Sequence, residues 1–304
     1  MPSNPEALAE FLRARRAQLR PEDVGLPAEP GRRVRGLRRS EVSRLAHISE
    51  QYYTRLEQGK THQPSYSVLS RLVAAFALDE YEAAYFYKLA LPTPPTTEAA
   101  PMTPPSNLIV QLVARRSDLP VVVTDRNQDV LLINGLGSAL LPALRPGINV
   151  VDMVFATPGE RRESASWRAA ARQAVAALRF NADPSDPRLQ QIVGGLSVRD
   201  SDFRALWSDQ EARPLESGLA PVLVEGFGSG DVEWQTLEIS GGFFLIAYLP
   251  TPGTFSGAVI DYVRQRHADA AQPPEAAITD GYSKDAQMAA FEKIGKPAPG
   301  SDVA

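Results

Sequence analysis

"RRSEVSRLAHISEQYYTRLEQGK", residues Arg38–Lys60, decides the architecture of the first third of the chain. It reads as a helix, a four-residue turn and a second helix. Val42 and Leu45 on the first helix, Ile48 in the turn, and Tyr53 and Leu56 on the second fall where they bury one shared seam. Ser49 stands where an N-cap hydroxyl takes a free amide of the following turn. Glu50, Gln51, Thr54 and Arg55 are then left on the outward face, near the start of the second helix. A helix-turn-helix presents such positions to base edges in the major groove. Gln pairs with adenine, Arg with guanine, and Glu accepts from cytosine. Ser49, Tyr52 and Lys60 flank this face and complete the predicted DNA-reading set.

Charge supports that reading only when it is mapped along the chain. The 304 residues carry a net charge of −4. Residues 1–60 nevertheless hold 12 Lys/Arg against 8 Asp/Glu, so the acidic excess lies elsewhere. Arg32, Arg33, Arg35, Arg38, Arg39 and Arg44 crowd into Gly31–Arg44 with Glu41 as the one acid. A basic patch confined to one part of an acidic chain suits a local polyanion surface. Arg32, Arg33, Arg35, Arg38 and Arg39 are predicted to meet phosphates, which position the protein without reading sequence.

Further helical periods surround this motif. Leu8, Phe11, Leu12 and Leu19 share one face, Val68, Leu69, Leu72, Val73 and Phe76 another, and Tyr81, Tyr85 and Leu89 a third. Asn4 or Ser3, Ser65 and Asp79 are candidate caps. Five short helices over residues 1–91 make a small all-α domain. The stretch "LPTPPTTEAAPMTPPS", Leu91–Ser106, holds six prolines and little to bury, and reads as an extended linker over 92–106.

Beyond the linker, "LPVVVTDRNQDVLLIN" (Leu119–Asn134) places two β-branched runs around a turn cluster, the pattern of a hairpin. A short helix is predicted near Leu136–Leu141, a long amphipathic one over Glu160–Phe180, and two more over Pro187–Val193 and Asp200–Ser208. Strands follow at Ala220–Glu225, Val232–Ile239 and Phe243–Leu249, the last two joined at Ser240-Gly241-Gly242. This order predicts an α+β domain over 107–265 with one antiparallel sheet and helices packed on it. Residues 266–304 read as a mostly flexible tail, with some helix near Lys284–Lys293.

The string "GLRRSEVSRLAHISEQYYTRLEQGK" (Gly36–Lys60) closely resembles the helix-turn-helix of the Xre/Cro-type regulators, in particular the MmyB-like subfamily. The likeness is dense over 31–60 and continues through "PSYSVLSRLVAAFALDEYEAAYFYKLA" (Pro64–Ala90). His47 departs from it, since the family usually has glycine in that turn, and a strained left-handed backbone is predicted there. "LPVVVTDRNQDVLLIN", "FATPGERRESASWRAAARQAVAALR" and "DSDFRALW" resemble the family's second half, more sparsely. The resemblance implies a lambda-repressor-like N-terminal domain and a PAS-like ligand-binding domain, for which fatty-acid-like ligands have been proposed. It carries over Asn134, Arg161, Trp167 and Trp207 as ligand-binding candidates. Where the family has a His-Pro segment this chain has "LAPVLVEG", which implies a reshaped end of the ligand site.

Other chemistry is poorly served. There is no cysteine, hence no disulfide and no thiolate metal site. His47, His62 and His267 match no acid or nucleophile at catalytic spacing, and no His/Asp/Glu cluster has metal-ligand spacing. "LLINGLGSALL" lacks the third glycine of a dinucleotide turn, since residue 140 is leucine. "GFGSGD" (Gly226–Asp231) reads as a loop. No apolar run reaches the roughly 18 residues of a membrane span. The expectation is a cytoplasmic, non-catalytic, cofactor-free transcription regulator. It binds duplex DNA as a homodimer and answers to a small apolar ligand, fatty-acid-like by resemblance. The alternatives are a small-molecule enzyme using the second domain and a DNA-independent protein–protein adaptor.

Overall fold

The computed structural model describes residues 5–27, 31–32, 34–61, 63–91, 105–116, 118–157 and 159–271; for 160, 161 and 269–271 only the backbone is described. Contacts below lie within the compact unit Met1–His267. Most of the predicted linker, the candidate caps Ser3 and Asn4, and the helix predicted near Lys284–Lys293 fall outside the described residues.

Five α-helices build the first domain: α1 (Pro5–Gln18), α2 (Arg39–Leu45), α3 (Glu50–Glu57), α4 (Tyr66–Ala75) and α5 (Glu80–Ala90), with a 3-10 turn at Pro21–Val24. Their apolar faces converge on one core in which Phe11, Leu12, Tyr53, Leu69, Leu72 and Phe86 are fully buried. Each such side chain contributes about 1.5–3 kcal/mol by leaving water. Asp79 caps α5 by accepting from the Glu82 amide at 3.0 Å, and Glu82 Oε2 accepts the Asp79 amide in return. Ser65 occupies the N-cap of α4, but its hydroxyl pairs with Ser67 Oγ at 3.1 Å rather than with a helix amide.

The α2–α3 turn is a Schellman closure. The Ile48 amide donates to the Ser43 carbonyl (3.0 Å) and the His47 amide to the Arg44 carbonyl (3.3 Å). That geometry needs a left-handed residue at position 47, and His47 adopts φ 50°. The same closure ends α3 at Gly59 (φ 67°), where glycine meets the requirement without strain. Holding a side chain in the left-handed region costs about 1–2 kcal/mol, while glycine gives back about 0.4–1 kcal/mol through its freer unfolded chain. His47→Gly is therefore expected to stabilise the protein by about 0.5–1 kcal/mol. A lower urea midpoint in the variant would contradict the strain argument.

The second domain comprises α6 (Asn107–Arg115), β1 (Val121–Thr124), β2 (Val130–Ile133), α7 (Gly135–Leu140), α8 (Val150–Phe155), α9 (Gly159–Arg162), α10 (Ala165–Asn181), α11 (Pro187–Arg199), α12 (Ser201–Ser208), β3 (Ser217–Val224), β4 (Gly228–Ile239), β5 (Phe243–Tyr248) and α13 (Phe255–Ala271). The strands form one antiparallel sheet in the order β2-β1-β5-β4-β3. Alternation along β5 divides its side chains. Ile246 and Tyr248 join a core with α7 and α13, whereas Phe243 packs with Val113 of α6 on the opposite face.

Several elements differ from the sequence expectation. The long helix over Glu160–Phe180 is two helices, because Ser164 accepts from the Trp167 amide (3.1 Å) and starts α10 afresh. Helices α6, α8 and α13 were not expected; α13 runs past residue 265, and Gly228–Asp231 belongs to β4 rather than to a loop.

Candidate DNA interface and ligand cavity

Helix α3 rests on a buried ionic hub. Glu57 is 1% exposed, and its carboxylate accepts from Arg16 Nε on α1, Arg39 Nε on α2 (2.7 Å) and the Tyr53 hydroxyl (2.7 Å). Burial alone would raise its pKa, but the hydrogen bonds from Arg16, Tyr53 and Arg39 outweigh this and hold it below the ordinary carboxylate value. Three helices are thereby tied to one side chain. The opposite face of α3 is open: Glu50, Gln51 and Arg55 are exposed, and Tyr52 and Thr54 are half-buried. Ser49 Oγ accepts from the Tyr52 amide at 3.1 Å, so its hydroxyl is committed to the cap. Lys60 is exposed just past the end of α3.

The predicted phosphate contacts separate into two groups. Arg32 is engaged inside the fold: it grips both oxygens of Glu41 (2.6 and 2.5 Å) and donates to the carbonyls of Val34 and Gly36. The Arg32 guanidinium holds the Glu41 carboxyl down at about 2. Arg39 is partly exposed but anchored on Glu57. Arg35 and Arg38 are exposed, with Arg38 at the N-cap of α2. Arg33 lies outside the described residues.

In the second domain, a cavity of about 440 Å3 opens between the sheet and the layer formed by α7, α8 and α10. Trp167 borders it, with its indole N–H donating to the Val154 carbonyl at 3.0 Å. Two other predicted ligand residues, Asn134 and Trp207, are not on its wall. Asn134 caps α7 and is saturated: Oδ1 accepts from the amides of Val121 (3.0 Å) and Gly137 (2.8 Å), and Nδ2 donates to the carbonyls of Arg116 and Leu119. Trp207 stacks on Phe203, with the Arg179 guanidinium 3.7 Å from its ring centre. The Arg161 side chain lies outside the described residues, while its neighbour Arg162 binds Asp200 (2.8 Å) and Asp202 (3.1 Å). Gln128, Trp234 and Tyr248, all on the cavity wall, were missed. The alternation of β4 and β5 was the signal that could have placed the last two.

Helix α10 links the two regions. Trp167, Ala170, Gln173 and Ala174 on its first turns line the cavity. At its far end Phe180 packs against the helical core, edge-on to Tyr81. Lys88 of α5 donates to the Phe180 (2.7 Å) and Ala182 (3.1 Å) carbonyls, closing the C-terminus of α10. Tyr81 donates to Glu216 at 2.6 Å, Gln18 to the Asp209 carbonyl at 2.7 Å, and Arg213 pairs with Asp79.

A helix-turn-helix with an open second helix, joined to a sheet-and-helix domain holding an apolar cavity, defines the class of ligand-binding DNA regulators. The MmyB-like transcription regulator ligand binding domain matches residues 106–260, and a helix-turn-helix domain matches residues 7–86. The chain belongs to the MmyB-like transcription regulators, and is a DNA-binding transcriptional regulator. Among curated proteins no relative matches it. Among the described residues no group of His, Asp and Glu is placed to hold a metal, and no helix is long and apolar enough to cross a membrane.

Proposed function

We propose that this regulator senses a small apolar ligand of the fatty-acid type in the cavity beside α10 and transmits its presence to the helix-turn-helix. The observation that carries the reading is the path of α10, which lines the cavity at one end and is held by Lys88 of the DNA-binding domain at the other. A ligand can shift the DNA-competent population only through its differential affinity for the two states. A helix shared by cavity and reading head supplies such a difference. The cavity is of the size and apolarity usual for small-molecule sites. Gln51 and Arg55 read bases in this proposal, helped by Glu50, Thr54 and Tyr52, while Arg35, Arg38 and Lys60 meet phosphates.

Half-site recognition favours a homodimer, because one reading helix contacts too few base pairs to discriminate among genomic sites. Leu108 and Leu112 on α6 and Leu237 on β4 are exposed on the same side of the sheet, which supports a partner copy bound through this domain.

The test is binding of alkyl ligands of increasing chain length, followed by thermal shift and by affinity for the operator. Each buried methylene is worth about 0.8 kcal/mol, so affinity is expected to climb steeply until the cavity fills, with a matching change in DNA affinity. A response independent of chain length would remove the ligand class. A steep response with unchanged DNA affinity would remove the coupling.

A further inference from the structure

Among the described residues the cavity wall carries no Asp, Glu, Lys, Arg or His. An ionised carboxylate placed against these residues would lose its water without gaining a counter-charge from them, at a cost of several kcal/mol. The polar groups on the wall are all neutral, and two of them are incompletely used. Gln128, 4% exposed, donates its amide nitrogen to the Ala174 carbonyl at 2.8 Å, while its Oε1 is buried without a partner. Tyr248, 6% exposed, has a hydroxyl with no hydrogen-bond partner among the described residues, and burial pushes its pKa up. A buried polar atom without a partner costs about 1–3 kcal/mol, so Gln128 Oε1 calls for a donor, and the Tyr248 hydroxyl on the same wall is free to pair as well.

The strand register separates these two groups. The Tyr248 amide donates to the Pro120 carbonyl, which sets Tyr248 beside the start of β1. Gln128 lies in the turn beyond Thr124, where β1 ends. The strand between them advances about 3.3 Å per residue, so the two residues leave the backbone at opposite ends of β1. Trp234, directly opposite Tyr248 in the β4–β5 ladder, continues the wall at the Tyr248 end.

We infer that the cavity takes an uncharged hydrophobic molecule bearing hydrogen-bonding groups at two separated points, one met by the Tyr248 hydroxyl and the other by Gln128 Oε1. Because Oε1 only accepts, the group it meets is a donor, a hydroxyl or an amide N–H. The inference rests on the reading of the cavity as the ligand site for an apolar chain, and replaces the acid head group of a fatty-acid-type occupant by a neutral one.

The experiment compares decanoate, decan-1-ol and decane-1,10-diol on the full chain at about pH 8, where an ordinary carboxyl of pKa ~4 is ionised. Binding is followed by the fluorescence of the wall tryptophans Trp167 and Trp234. The alcohol is expected to bind at least about tenfold more tightly than the acid, a difference of 1.4 kcal/mol, and the diol at least as tightly as the alcohol. Tyr248→Phe removes only the hydroxyl, and Gln128→Met removes the acceptor. Each is expected to weaken the diol more than tenfold relative to unchanged chain-length dependence for simple alkanes. Decanoate binding most tightly would overturn the neutral site while leaving the apolar-ligand reading intact. An alcohol preference untouched by both variants would overturn the two anchoring residues. No binding by any of the three would overturn this inference and the ligand reading together.

Discussion

Replacing Glu57 by alanine is expected to destabilise the protein by about 3–5 kcal/mol, because it strips the shared partner from a buried ion pair. Arg16 Nε, Arg39 Nε and the Tyr53 hydroxyl all end on this one carboxylate, so its loss leaves donors from α1, α2 and α3 without an acceptor. Glu57→Gln keeps the shape and an acceptor for Tyr53 but removes the charge, and is expected to fall between wild type and alanine. Tyr53→Phe, which removes one hydrogen bond to a charged group, is expected to cost about 1.5–3 kcal/mol. Urea midpoints at neutral pH measure all three. A loss below about 1 kcal/mol for alanine would show that packing alone holds the three helices. The folded pKa of Glu57 lies below its ordinary value. Its stabilising contribution is thus fully present above the unfolded value of about 4.3 and is lost as pH falls through the lower folded value. Wild type is expected to lose stability over that acid window, and the Gln variant to lose less.

The reading head was legible in the sequence because its information is local. A 3.6-residue apolar period and a serine cap at Ser49 each act within one turn of chain, and each occurs where expected. The hairpin at Asp125–Gln128 was legible for the same reason. Helix α8 was not, since "VVDMVF" is a short apolar run in which strand and helix periods look alike. Its helical state is set by Asn149, whose Oδ1 accepts from the amides of Val151 and Asp152. The cavity wall was the least legible feature. Gln128 looks like an ordinary turn residue in one dimension, and it becomes part of a site only when the sheet brings α10 over it. Asn134 and Trp207 take structural positions in this fold, one as a fourfold hydrogen-bonded cap and the other as a platform for Arg179.

The arginines of the reading head separate for a related reason. Arg55 is exposed on α3, and Arg55→Ala is expected to cost about 1–3 kcal/mol on the preferred operator and to relax selectivity at one base position. Its thermal midpoint is expected to remain that of wild type, since the side chain supports no buried group. Arg39 combines two roles. It sits at the first position of α2, facing the expected phosphate track, yet its Nε holds buried Glu57 at 2.7 Å. Arg39→Ala is therefore expected to weaken binding to all sequences alike, lower the slope of affinity against salt by about one phosphate contact, and also lower the thermal midpoint. Arg39→Lys retains the charge but lacks the planar fork that reaches two partners at once. It is expected to restore the salt slope and not the midpoint. The decisive comparison is binding of each variant to the operator and to a scrambled duplex, at two salt concentrations, beside its melting curve. Uniform loss from Arg55→Ala, or unchanged stability in Arg39→Ala, would each break this division between the residue that reads and the residue that positions.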